Sequence, residues 1–183
     1  MKRESHRILG AYLLEQITWE LSAWRRRAFL LGCTEPDSNP FTYLKGSRRV
    51  QLLRGHNYRN AERWMDRMAA RLEARQCWRL LDYYRLGQLI HYTSDAFTFA
   101  HNETFRESIR EHRRYEQRLQ RVFKLTLALP GEELAADEGG SAMEAIRAAH
   151  ERYMRDGQTL QTDVDYILAM TRQIFCRLVP EAV

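Results

Sequence analysis

The chemistry in this chain is concentrated where histidines and acids share a helical turn. His91 and Asp95 stand four residues apart, and His112 and Glu116 repeat the step. That spacing puts an imidazole and a carboxylate on the same face of a helix. Two adjacent helices that each offer such a pair can hold a metal between them. A single pair of this kind is commonly a surface ion pair. Two pairs flanking a third histidine, His101, point instead to a metal centre. On a straight helix the six residues from Asp95 to His101 give a rotation of ~240° and a rise of ~9 Å. One metal therefore cannot take both from an unbroken helix. Either the helix ends near Phe97, or His101 joins a second metal with His112 and Glu116, and both readings favour more than one ion. Upstream, Asp37 sits in a Pro-Asp loop, His56 follows Gly55, and His6 edges an apolar stripe. Each of these alone reads as structural. His150 falls outside the cluster on a polar helix and reads as a surface residue.

The elements that must position these residues are helices. Residues 5 to 31 carry Ile8, Leu9, Tyr12, Leu13, Ile17, Leu21, Trp24 and Leu31 at three- and four-residue steps, the stripe of one or two amphipathic helices. Gly32 through Pro40 is a loop, and the segment 41 to 55 has no clear assignment. Helical periodicity returns over 56 to 75, about 77 to 97, and about 103 to 128. Pro130-Gly131 and an acidic, Gly-rich connector follow. Ser141 with Glu144 forms a capping box for a helix near 142 to 155, and a last helix occupies roughly 159 to 178. No strand-like alternation persists. The expectation is an all-α, single-domain bundle of about six helices covering residues 1 to 183, with the motifs in 1 to 120 and C-terminal helices within 141 to 178.

Composition fits this reading. The chain has 183 residues, 44% hydrophobic and 29% charged, as in a globular domain able to bury its own core. Any metal is then expected to serve chemistry rather than to rescue folding. No apolar run approaches the ~18 residues of a membrane span, and no secretory signal is evident, so a cytoplasmic location without membrane insertion is expected. Cys33, Cys77 and Cys176 lack paired metal spacing and read as small buried residues. The net charge of +5 is carried mainly by arginine, which suits phosphate groups. Arg85, Arg106 and Arg113 are candidates for phosphate contact, without a ranking among them.

The stretch Leu86-Gly87-Gln88-Leu89-Ile90-His91-Tyr92-Thr93-Ser94-Asp95, with Phe97-Thr98-Phe99-Ala100-His101-Asn102 after it, resembles the signature of bacterial zinc-dependent phospholipases C. His112 and Glu116 match that family's His-x-x-x-Glu on the next helix, and His6, Asp37 and His56 follow its upstream order. The resemblance spans about 1 to 120. It implies a helical fold with two or three zinc ions and hydrolysis of a phosphate ester by metal-activated water. Asp37, His56, His91 and Asp95 would hold one ion, and Asp95 would bridge to another that takes His6. His101, His112 and Glu116 would hold a further ion, and Asp37 is the implied general base. Secreted members supply an N-terminal tryptophan as a ligand to the ion of the early histidine. This chain starts Met1-Lys2-Arg3, so two firmly held ions and a weak or absent third are expected. The substrate expected is a phospholipid headgroup or a similar soluble ester. Two other readings are a zinc nuclease, with Tyr92, Phe97 and Phe99 as stacking candidates, and a metal-binding module without catalysis.

Overall fold

The computed structural model describes residues 1–38, 57–105, 108–128, 140–157 and 159–180. Among them are seven α-helices and no strand: α1 (Arg3–Glu15), α2 (Ala23–Thr34), α3 (Tyr58–Glu73), α4 (Leu80–Ala96), α5 (Ile109–Leu127), α6 (Ala142–Asp156) and α7 (Leu160–Leu178). A 3-10 turn, Phe99–His101, joins α4 to the chain leading into α5. The count exceeds the expected six because the first apolar stripe divides into α1 and α2. The β-branched Ile17 and Thr18, poor helix formers, fall in the break. Helix α5 begins later than its periodicity suggested, because Ser108 and Glu111 close a capping box there. Ser108 Oγ accepts from Glu111 N–H at 3.4 Å, and Glu111 Oε2 accepts from Ser108 N–H at 2.8 Å. The box at Ser141 and Glu144 forms as expected. The unassigned segment 41 to 55 and His56 lie outside the described residues.

Helix α4 is the axis of the bundle. Every residue from Leu86 to Thr98 is buried, polar ones included. A helix buried on all sides needs neighbours all round, and α1, α2, α3 and α7 pack against it. Helix α2 runs alongside α4 in the same direction: Arg25 lies over Tyr83, Phe29 meets Gly87, and Cys33 meets His91. The two backbones nearly touch. A Cβ on Gly32 would stand 2.0 Å from the Tyr84 carbonyl oxygen, and one on Gly87 2.1 Å from that of Phe29. Only glycine permits this approach. On the far side Phe175 of α7 packs on Phe29, with ring centroids 5.1 Å apart. Of the three cysteines only Cys33 is buried. Cys77 lies just before α4 and Cys176 on the outer face of α7, so the expectation of burial fails for both.

Candidate metal centre

Burial makes α4 chemically unusual. His91, Thr93, Ser94 and Asp95 are all buried in its last two turns, and buried polar groups are costly unless paired. Ser94 and Thr98 satisfy their hydroxyls by donating to the His91 and Ser94 carbonyls, at 2.8 and 3.0 Å. Asp95, 1% exposed, gathers cationic and imidazole groups around its two oxygens. Oδ1 faces His6 Nε2 at 3.4 Å, and Oδ2 faces His91 Nε2 at 3.4 Å and His101 Nδ1 at 3.6 Å. A carboxylate with each oxygen turned to a different histidine set has the disposition of a bridging ligand.

The histidine tautomers are fixed from behind. His91 Nδ1 donates to the Cys33 carbonyl at 2.9 Å, which the α2–α4 crossing brings within reach. Ser94 Oγ, its own proton committed to His91 O, accepts from His6 Nδ1 at 3.1 Å. Both rings, stacked 3.9 Å apart, thus present Nε2 toward Asp95. His6 Nε2 is buried without a hydrogen-bond partner. A lone pair facing a carboxylate oxygen is repulsive unless a cation lies between them. Asp37 adds a further carboxylate, 3.8 Å from His6 Nε2 through Oδ2 and 3.8 Å from His91 Nε2 through Oδ1.

A second cluster lies on the other side of Asp95. Helix α4 ends at Ala96, and the 3-10 turn swings His101 back so that Nδ1 faces Asp95 while Nε2 stands 3.4 Å from Glu116 Oε1. His112, one turn before Glu116 on α5, approaches the same oxygen at 3.5 Å. The helix ends, as one alternative had it, and His101 stands beside His112 and Glu116, the grouping the other alternative needs. The donor atoms of His6, His91 and Asp95 all lie within 4.8 Å of one another, and so do those of His101, His112 and Glu116. Separations of 3.4–3.5 Å are long for hydrogen bonds. They match the edge of a tetrahedron with zinc-length bonds, about 3.3 Å. Histidine nitrogen with carboxylate oxygen is also a donor set that zinc accepts, so the residues fit the metal.

The α-amino group of Met1 lies between the two clusters. It donates to Asp95 Oδ1 at 2.5 Å and stands 3.1 Å from His101 Nε2 and 3.5 Å from Glu116 Oε1. Motif reading missed this nitrogen. Burial works to lower its pKa, but the Asp95, Glu116 and Asp37 carboxylates outweigh burial and raise it to about 10. Burial would likewise raise Asp95 and Glu116. The surrounding imidazoles and the ammonium instead hold both well below the usual carboxylate range. The stacked pair is split. Burial and then the His91 charge lower His6 to about 4, whereas for His91 the Asp95 and Asp37 carboxylates and the Cys33 carbonyl overcome burial and raise it. His6, His91 and Asp95 are sealed from solvent, while Asp37, Glu116 and His112 are 17%, 15% and 31% exposed.

His150 is outside both clusters, as expected, but it is not a surface residue. It stacks on Tyr58 at 3.7 Å and bonds Asn102 Oδ1 at 2.9 Å. Asn102 in turn donates to the Ala96 and Thr98 carbonyls, both at 3.0 Å, tying down the turn that carries His101. Tyr92 and Phe97 are buried and Phe99 packs against Phe105 and Tyr115, so these rings serve the core rather than a stacking platform. Arg85 pairs with the buried Asp82 at 2.9 Å, which leaves it a structural role at the start of α4.

The family model described as zinc dependent phospholipase C matches residues 5–161. The chain belongs to that family. No curated protein and no solved structure matches it. No helix among the described residues is long and apolar enough to cross a membrane.

Proposed function

We propose that the chain is a zinc-dependent hydrolase of phosphodiesters, of the kind found in phospholipid headgroups. The observation that carries this reading is the pair of His/carboxylate clusters lying on either side of Asp95, with His6 Nε2 buried and bare beside it. His6, His91 and Asp95 hold one side of the centre, and His101, His112 and Glu116 the other. By the family pattern, Asp37 and His56 complete the set. Zinc bound there supplies an activated water and a positive clamp for phosphoryl oxygens. Asp37, partly exposed and 3.8 Å from both inner histidines, is placed to take a proton as general base. The burial of Tyr92 and Phe97 speaks against a nuclease, which would use exposed rings to stack bases.

The test is hydrolysis of a chromogenic choline phosphodiester and of micellar phosphatidylcholine, with single-stranded DNA as the competing substrate. Cleavage of the esters that is lost on chelation and restored by zinc is the expected result. A folded, zinc-loaded chain that cleaves none of them would leave a metal-binding module without catalysis.

A further inference from the structure

Asp163, on the first turn of α7, lies beyond the matched residues 5–161 and takes no part in the chemistry above. It is completely buried and accepts three hydrogen bonds from three separate elements. Oδ2 accepts from the Phe99 backbone N–H at 2.9 Å and from the Tyr115 hydroxyl at 2.7 Å, and Oδ1 accepts from the Tyr153 hydroxyl at 2.7 Å. Two of these donors adjoin the second cluster. Phe99 opens the 3-10 turn that ends in His101, and Tyr115 precedes Glu116 on α5. A single oxygen therefore ties the turn presenting one candidate ligand to the helix presenting two others. The third donor, on α6, fixes the orientation of the carboxylate. A buried carboxylate is expensive to retain for packing alone, since an apolar residue would fill the volume more cheaply. In the first cluster, among the described residues, the tautomers are set instead by Cys33 and Ser94.

We infer that Asp163 is a positioning residue that aligns His101 with His112 and Glu116, so that the C-terminal helix sets the metal affinity of this cluster and not of the other. The inference rests on the metal reading above. Outer partners that orient ligands are worth about 10–100-fold in metal affinity.

The test is cobalt titration, followed by the visible absorption of the bound ion, in chains reduced to one cluster. In a His91→Ala background the remaining His101/His112/Glu116 cluster should bind cobalt about 10–100-fold more weakly when Asp163→Asn is added. In a His112→Ala background the same change should leave the first cluster's affinity within about twofold. Tyr115→Phe, which removes one donor and keeps the ring, should weaken the second cluster in the same direction; it serves if Asp163→Asn does not fold. Ile167→Ala, buried on the same helix with no polar link to the site, supplies a loss of stability for comparison and should leave both affinities unchanged. Equal weakening of both clusters, no weakening of either, or the same weakening from Ile167→Ala would overturn the inference. A wild-type chain that binds no cobalt would instead refute the metal reading itself.

Discussion

Alanine at Gly87 joins helix packing to metal binding in one perturbation. A Cβ there would lie 2.1 Å from the Phe29 carbonyl oxygen, 2.8 Å from the Cys33 nitrogen and 2.9 Å from the Gly32 Cα. All three are backbone atoms and cannot rotate aside. Reaching the 3.4 Å of ordinary contact requires α2 and α4 to part by about 1.3 Å. Overpacking of a core costs about 1–3 kcal/mol, and backbone on both sides puts this case at the upper end. At ~2–4 °C per kcal/mol for a domain of this size, the melting temperature should fall by roughly 6–12 °C. The Cys33 carbonyl moves with α2, so its 2.9 Å bond to His91 Nδ1 opens to roughly 4 Å. Zinc affinity should then fall about 10–100-fold. Thermal unfolding by circular dichroism and zinc competition against a chromophoric chelator read the two effects separately. Gly157→Ala is the control: its φ of 84° strains an alanine, yet no atom lies within 4 Å of the added Cβ and the metal centre is untouched. Gly87→Ala with wild-type melting and wild-type zinc affinity would refute the reasoning, as would equal zinc loss in Gly157→Ala.

Other consequences follow from the same geometry. Ser94→Ala removes the acceptor that fixes His6 Nδ1 and should weaken zinc binding by about tenfold while changing stability by only about 1 kcal/mol; unchanged affinity would show that the tautomer is set elsewhere. Asp37→Asn, which keeps a ligating oxygen but cannot take a proton, should lower kcat by about 100-fold or more with most of the zinc retained, whereas a loss of zinc as large as the loss of activity would leave Asp37 a ligand with no role as base. Acid should destabilise the metal-free chain steeply below about pH 4. Asp95 and Glu116 have depressed pKa values in the fold, so their stabilisation is present above the unfolded value near 4 and is lost as pH falls. Glu116→Gln should flatten that limb in melting scans taken between about pH 5 and pH 2.5. Between about pH 6.5 and pH 4 stability should already decline as the pH falls. There His6 and His150, each lowered to about 4 by burial, and His101, also lowered by burial, lose stability in acid, and the gains from Asp163, raised to about 6 by burial, and from His91 offset this only in part.

What the sequence could show depended on whether the information was local. The His91/Asp95 and His112/Glu116 pairs were legible because one helical turn brings each together, and helix α4 could be read from its apolar content. The Ser141 capping box was legible for the same reason. The division of the first stripe into α1 and α2 stayed open between one helix and two, since no proline or glycine marks it. Contacts across the fold carried no signal either. Cys33 orients His91 through a carbonyl that any residue could supply. The Met1 amine reaches Asp95 from 94 residues away in sequence. His150 looked exposed on a polar helix because its partners, Tyr58 and Asn102, are distant in sequence. The family pattern named Asp37 and His6 as site residues, but their convergence on Asp95 and His91 is a property of the packing.

The most direct test of the central claim is the zinc content of the purified chain, measured by elemental analysis beside Asp95→Asn. Two or three zinc ions per chain, reduced in the variant because Asp95 is a donor of the first cluster and faces His101 of the second, is the predicted result. A folded chain that carries no zinc and takes up none when it is supplied would contradict the account.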